Sequence, residues 1–208
     1  MEGLNGLIEA VDFVYTPDIT VVNQKQYNEH LKLYKNYVKS MNEIDQQLRD
    51  ANNEEREKAN TTFGVYRDLK RGETYALNGI ILHELYFYNI GGDKGRPSNQ
   101  VLQVLNQAFG SYHLWKADFI ATAKASRGWV VLFYDQRTRT FRNISYDEHD
   151  KGGLTAGLPI LVLDMYEHAY FLQYGTDKMA YIQAFLQDIK WQMVKNRLDM
   201  LMDEINQE

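Results

Sequence analysis

The stretch LPILVLDMYEHAYFLQYG, residues 158–175, runs apolar to Leu163, then sets Asp164 at the end of the run and His168 four residues later. The apolar part reads as a buried strand, and YEHAYFLQYG, residues 166–175, as a return to helix. A carboxylate and an imidazole carried into a core are costly unless something satisfies them. Each taken alone has an ordinary explanation. An Asp at a strand end caps the helix that follows, and a histidine on an apolar face is a core residue with one satisfied hydrogen bond. The rest of the chain decides whether those explanations suffice.

Upstream, Tyr27, His30, Tyr34, Tyr37, Met41, Ile44 and Leu48 alternate at three and four residues and mark the seam of a long helix. RDANNEEREKAN, residues 49–60, is polar and reads as a solvated turn region. A second seam follows at Leu69, Glu73, Ala76, Ile80, His83 and Phe87. Two long helices with a short connection form an antiparallel hairpin, which can bring His30 and His83 face to face. GGDKGRPSN, residues 91–99, ends the hairpin, so we divide the chain into a helical hairpin domain, 1–92, and a second domain, 93–208. VLQVLNQAFGSYHLWKADFIATAKAS, residues 101–126, reads as helices, and GWVVLFYD, TFRNISYD and PILVLD as three strands. DKMAYIQAFLQDIKWQMVKNRLDMLMDEI, residues 177–205, reads as one long amphipathic helix. The fold class is α+β, with a small, mostly antiparallel three-stranded sheet covered by helices.

Composition narrows the chemistry. With no cysteine among 208 residues there is no disulfide, thiolate site or cysteine nucleophile, so a transition metal would rest on His, Asp and Glu. A net charge of -5 argues against a general nucleic-acid binder. Apolar runs are too short for a membrane span, and MEGLNGLIEAVDF at the amino terminus does not read as a signal peptide, which makes the cytoplasm the expected location. Of five histidines, His30, His83 and His168 lie in apolar periodic segments that converge if the hairpin packs on the sheet. Three imidazoles and a carboxylate suit Fe, Mn or Zn, and Asp in place of a thiolate leans toward the redox metals.

At this point the residues resemble a known family. LDMYEHAYFLQYGTDKMAYIQAFLQDIKWQMV, residues 163–194, is similar to the carboxyl-terminal signature of iron and manganese superoxide dismutases, an Asp-x-Trp-Glu-His-Ala-Tyr element followed by a Tyr, a basic residue and a later Trp. Here these fall on Asp164, Glu167, His168, Ala169, Tyr170, Tyr174, Lys178 and Trp191. LNGIILHELYFYNIGG, residues 77–92, resembles the segment around the second ligand, which lands on His83, and FGSY and RGWVVLFYD resemble further family elements. His30 in QYNEHLKLYKNYVKSMNEI fits the first ligand, with Glu29 beside the seam rather than on it. The chain departs from the family at Tyr34, where a second His is usual, at Val38, where a Tyr is usual, at Phe171, where a Tyr is usual, and at Tyr166 and Phe87, which replace Trp.

The resemblance implies a superoxide dismutase in the α+β fold, with one Fe or Mn ion per subunit on His30, His83, Asp164 and His168, between the two domains. It implies His149, in SYDEHDKGG, as the partner of the solvent on the metal, since Gly79 at the alternative position offers no donor. Tyr34 or Tyr37 would stand at the substrate entrance, and Lys178 would attract the superoxide anion. Glu167 would reach across a homodimer interface to a ligand histidine. His113 matches no functional position. Two other readings are a dismutase-fold protein that binds metal without turnover, and a carboxylate-bridged di-iron protein suggested by Glu167-His168 and His83-Glu84. The second lacks the Glu-x-x-His spacing such a site needs.

Overall fold

Two long helices carry the first half of the chain in the computed structural model, which describes residues 6–92 and 95–205. Helix α1, Gln24–Asp50, starts where the Asn23 side chain accepts the Gln26 N–H, and it buries Gln26, Tyr27, His30, Tyr34, Val38 and Met41 on one face. A short helix α2, Asn53–Glu57, is closed by a reciprocal capping box between Asn52 and Glu55. Helix α3, Val65–Asn89, then returns along α1. Its direction follows from the contacts: His30 meets His83, Tyr37 faces Gly79 and Ile44 faces Gly72. The hairpin is therefore antiparallel. A Cβ on either glycine would stand 3.2 Å from the opposing side chain, so their absence lets α1 and α3 approach closely.

Helices α4, Asn99–Phe109, and α5, Tyr112–Ala125, lead into the sheet, each capped by a serine, Ser98 and Ser111. Strand β1, Trp129–Asp135, is buried throughout and lies between β2, Thr140–Tyr146, and β3, Gly157–Asp164. Both pairings are antiparallel, and the register sets Trp129 opposite Tyr146 on one side and Asp164 on the other. Helix α3 packs on β3 and α5 on β1 and β2. The α+β architecture read from the sequence holds, and the sheet is wholly antiparallel. No helix among the described residues is long and apolar enough to cross a membrane.

Two segments differ from their sequence reading. The stretch 166–175 is not one helix: a single 3₁₀ turn, Glu167–Ala169, is followed by the short α6, Phe171–Tyr174, which stops at Gly175 with φ of 53°. The long carboxyl-terminal helix is broken into α7, Lys178–Asp188, and α8, Trp191–Ile205. Asp188 supplies the reason. Its carbonyl accepts the Gly92 N–H at 2.9 Å, and the Lys190 N–H turns away to the Asn89 carbonyl at 2.7 Å, so helical bonds are exchanged for bonds to the end of α3. The buried Asp188 carboxylate accepts from Thr20 N, Thr20 Oγ1 and Gly91 N at 3.0, 2.6 and 3.0 Å. It thereby pins the amino-terminal segment and the end of α3 to α7.

Asp188→Ala leaves three donors without that acceptor, and it is expected to lower unfolding free energy by about 3 kcal/mol or more. Urea unfolding of the two proteins measures it, and a loss under about 1 kcal/mol would show that the pin carries little.

Candidate metal centre

His30 sits on the buried seam of α1 and His83 on that of α3, so the close antiparallel packing brings their rings to 5.0 Å, edge to face. Asp164 ends β3. Its Oδ1 accepts the Tyr166 N–H at 2.8 Å, an Asx turn rather than the helix cap expected of a strand-end Asp, since the turn Glu167–Ala169 starts from Tyr166 with no side-chain cap. Its Oδ2 turns the other way and lies 3.0 Å from His30 Nε2, 3.0 Å from His168 Nε2 and 3.7 Å from His83 Nε2. One ligand atom from each of the four residues falls within 4.8 Å of all the others. His30, His83 and Asp164 are buried, and His168 retains 28% side-chain exposure.

Gln26, four residues before His30, was not singled out by sequence reasoning. Its buried amide donates to the His168 carbonyl at 2.6 Å and accepts from Leu172 N at 2.9 Å, fixing the turn that carries His168 to α1. A glutamine on an otherwise apolar seam was the available signal. Glu29 is exposed and ion-paired with Lys32 at 2.6 Å, away from the cluster.

Hydrogen bonding fixes the state of His83. A carbonyl can only accept, so the 2.6 Å contact between His83 Nδ1 and Gly79 O puts the proton on Nδ1. The Nε2 atom is then a bare lone pair, and it is buried with no hydrogen-bond partner. Burial first, then the charge of His30, push the His83 pKa well down, and burial likewise lowers that of His30. For Asp164 burial opposes ionisation, but the charge and hydrogen bonds of His168 and His30 prevail and hold the carboxyl below its usual range. A buried anion faced by the His83 lone pair and by a His30 ring that burial keeps from charging is a strained arrangement by itself. One cation among the four atoms satisfies it, and the nitrogen and oxygen donors suit Fe or Mn.

His149 lies beside this cluster. A loop histidine is ordinarily exposed; this one is fully buried. Asp147 N donates to Lys151 O and Lys151 N to Glu148 O, closing a tight turn between β2 and β3 with His149 within it. The Trp129 indole N–H donates to His149 Nδ1 at 2.9 Å, so the neutral ring carries its proton on Nε2, which donates to Tyr37 Oη at 2.8 Å. A Cβ at Gly79 would stand 3.2 Å from the Tyr37 ring and 3.5 Å from His149 Cδ2, so the glycine makes room for this pair. Tyr34 is engaged elsewhere: its hydroxyl donates to Glu84 at 2.7 Å and accepts from Val11 N at 2.8 Å. Lys178 opens α7 half-buried.

Comparison with known proteins agrees with this geometry. Residues 97–197 match the family model described as iron/manganese superoxide dismutases, C-terminal domain. The superoxide dismutase [Fe] of Aquifex pyrophilus is 34% identical over 197 residues, which cover 94% of this chain and 92% of that protein. The chain belongs to the iron/manganese superoxide dismutase family. Other members include the superoxide dismutase [Mn] 1 of Halobacterium salinarum, 35% identical over 80% of each chain. The superoxide dismutase [Fe] of Cupriavidus metallidurans is 41% identical over 62% of this chain and 66% of its own. Both metals thus occur among these relatives, and the four-residue cluster in this family member can hold one ion of either kind.

Burial pushes the His149 pKa down to about 4, whereas an unfolded chain's imidazole titrates near 6.5. Between those values the unfolded chain binds the extra proton. Stability present in full above about pH 6.5 is therefore lost as pH falls toward 4, by about 2.5 kcal/mol at about pH 4.5. Urea unfolding of the metal-free chain should show the wild type losing that much more than His149→Gln on acidification; equal losses would contradict a buried neutral imidazole.

Proposed function

We propose that this chain is a superoxide dismutase with one Fe or Mn ion held by His30, His83, Asp164 and His168. The observation that carries the reading is the His83 Nε2 lone pair, buried without a donor and facing the Asp164 carboxylate and two further imidazoles. When bound, the ion supplies one-electron chemistry that oxidises one superoxide to dioxygen and reduces a second to hydrogen peroxide. The Asp164 charge favours the more oxidised ion, and three neutral imidazoles limit that preference.

The remaining work belongs to protons, since each peroxide formed takes up two. Tyr37 is suited to deliver them. Its oxygen receives the His149 Nε2–H, so its own proton is free to point elsewhere. Burial, and next the neighbouring Tyr75 hydroxyl, raise its pKa and keep it protonated. Trp129 fixes the His149 tautomer on which this direction depends. We assign the entrance tyrosine role to Tyr37 rather than Tyr34, whose hydroxyl is held by Val11 and Glu84. Substrate approaches on the side of His168, the most exposed of the four ligands, where Tyr166 stacks on its ring at 5.1 Å. Lys178 is our candidate for attracting the anion toward a chain of net charge -5.

We further read the active unit as a homodimer, with Glu167 reaching a ligand histidine of the second copy. The exposed Phe171 and Leu172, next to Glu167 and His168, support an apolar contact there. The division at residue 92 is kept in this reading, with two ligands from each part. The cytoplasm is the proposed location, in keeping with a chain that has no cysteine.

Superoxide consumption per bound ion, on protein loaded separately with iron and with manganese, tests the activity. Rapid turnover with one ion is expected, and tight binding of both with no turnover would assign the fold to metal binding alone. His83→Ala should abolish stoichiometric metal binding; retention of a full ion by that variant would remove His83 from the ligand set. Tyr37→Phe should lower kcat by about tenfold or more while Tyr34→Phe lowers it less than about twofold, and the reverse order would transfer the role to Tyr34.

A further inference from the structure

Arg197, on α8, is half-buried and makes no ion pair among the described residues. Both protons of its Nη1 are committed, one to Asn89 Oδ1 at 2.5 Å and one to the Ile160 carbonyl at 2.9 Å. Each acceptor is itself fixed. Asn89 is fully buried at the end of α3, and its amide donates to the Val162 carbonyl at 2.9 Å. Ile160 is the extra residue of a β-bulge, since Leu161 stands opposite Leu132 and Pro159 opposite Phe133. The guanidinium is thus held from behind, while its Nε and Nη2 make no hydrogen bond among the described residues. Those two nitrogens form the edge that grips a carboxylate with two parallel bonds. Arg197 lines a groove of about 140 Å³ whose other walls are Leu158, Pro159 and Ile160 of the edge strand β3 and Met200 and Leu201 of α8. Met200 and Leu201 follow Arg197 by one helical turn and share its face of α8.

We propose that this groove binds a small amphiphilic monoanion, a carboxylate joined to a short hydrocarbon group, with the carboxylate on Nε and Nη2 of Arg197 and the hydrocarbon along Leu158, Pro159 and Met200. A charge held partly out of water without a counter-ion is costly, and a bound carboxylate offsets that cost. One cation on a chain of net charge -5 suits a single negative charge better than a phosphate dianion. The rest of the lining is apolar side chain, which gives a hydrated inorganic ion nothing in return for its lost water. Pro159 lacks the N–H that an added strand would need, so this edge favours a small molecule over an extended peptide. The site stands apart from the metal centre, none of whose four ligands lines the groove, and does not depend on the dismutase reading.

Calorimetric titration of the full, metal-loaded chain with hexanoate tests the proposal, with hexanol and acetate as the apolar and anionic halves of the same probe. Hexanoate should bind saturably, one per chain, and about tenfold or more tightly than either half. Met200 is 66% exposed, so substitutions there leave the fold intact. Met200→Glu sets a carboxylate on the rim one turn from Arg197, where it competes for the guanidinium, and Met200→Gln adds similar bulk without the charge. Hexanoate affinity should fall about tenfold or more in Met200→Glu and stay within about threefold of the wild type in Met200→Gln. Equal affinity for hexanoate and hexanol would overturn the proposal by reducing the site to an apolar groove. Binding undiminished in Met200→Glu would overturn it as well, since hexanoate would then sit elsewhere.

Discussion

A fully buried carboxylate, Asp164, organises this protein. One of its oxygens closes an Asx turn with Tyr166 N that leads to His168, and the other faces His30, His83 and His168. Burial alone would drive such a group to take up a proton, yet the surrounding imidazoles hold it ionised while burial drives His30 and His83 toward neutrality. An ionised carboxylate beside two imidazoles that burial disfavours from charging is what a divalent or trivalent cation requires, and supplying that cation offsets the desolvation cost these groups otherwise bear.

The fold serves to bring these four groups from distant parts of the sequence to one point. Gly72 and Gly79 let the hairpin helices approach closely enough for His30 and His83 to meet. The β1–β3 register sets Trp129 opposite Asp164, so the indole that orients His149 is fixed by the same ladder that places the carboxylate. Gln26 ties the His168 turn back to α1. Hydrogen bonds around the centre thus link both halves of the chain.

Periodicity made much of this legible beforehand. The seams of α1 and α3 carried His30 and His83, and short strand-forming runs separated by turn residues marked all three strands, because both signals are local to the sequence. Spacing could not choose between Tyr34 and Tyr37, which lie nearly one turn apart on α1. That choice depends on what opposes each one, Glu84 and Val11 in one case, Gly79 and His149 in the other. The break between α7 and α8 was equally hidden, since residues 177–205 keep a helical pattern throughout. It is imposed by Asn89 and Gly92, far away in sequence, which take up the local hydrogen bonds.

The central claim is that His30, His83, Asp164 and His168 form the metal site. Crystals of protein loaded with iron or manganese, measured at the absorption edge of that metal, test it most directly. The account predicts one anomalous peak per chain among the four ligand atoms, with His83 Nε2 directed at it and Nδ1 still on the Gly79 carbonyl. A peak elsewhere, or a fully loaded protein in which His83 Nε2 makes no bond to the ion, would contradict it.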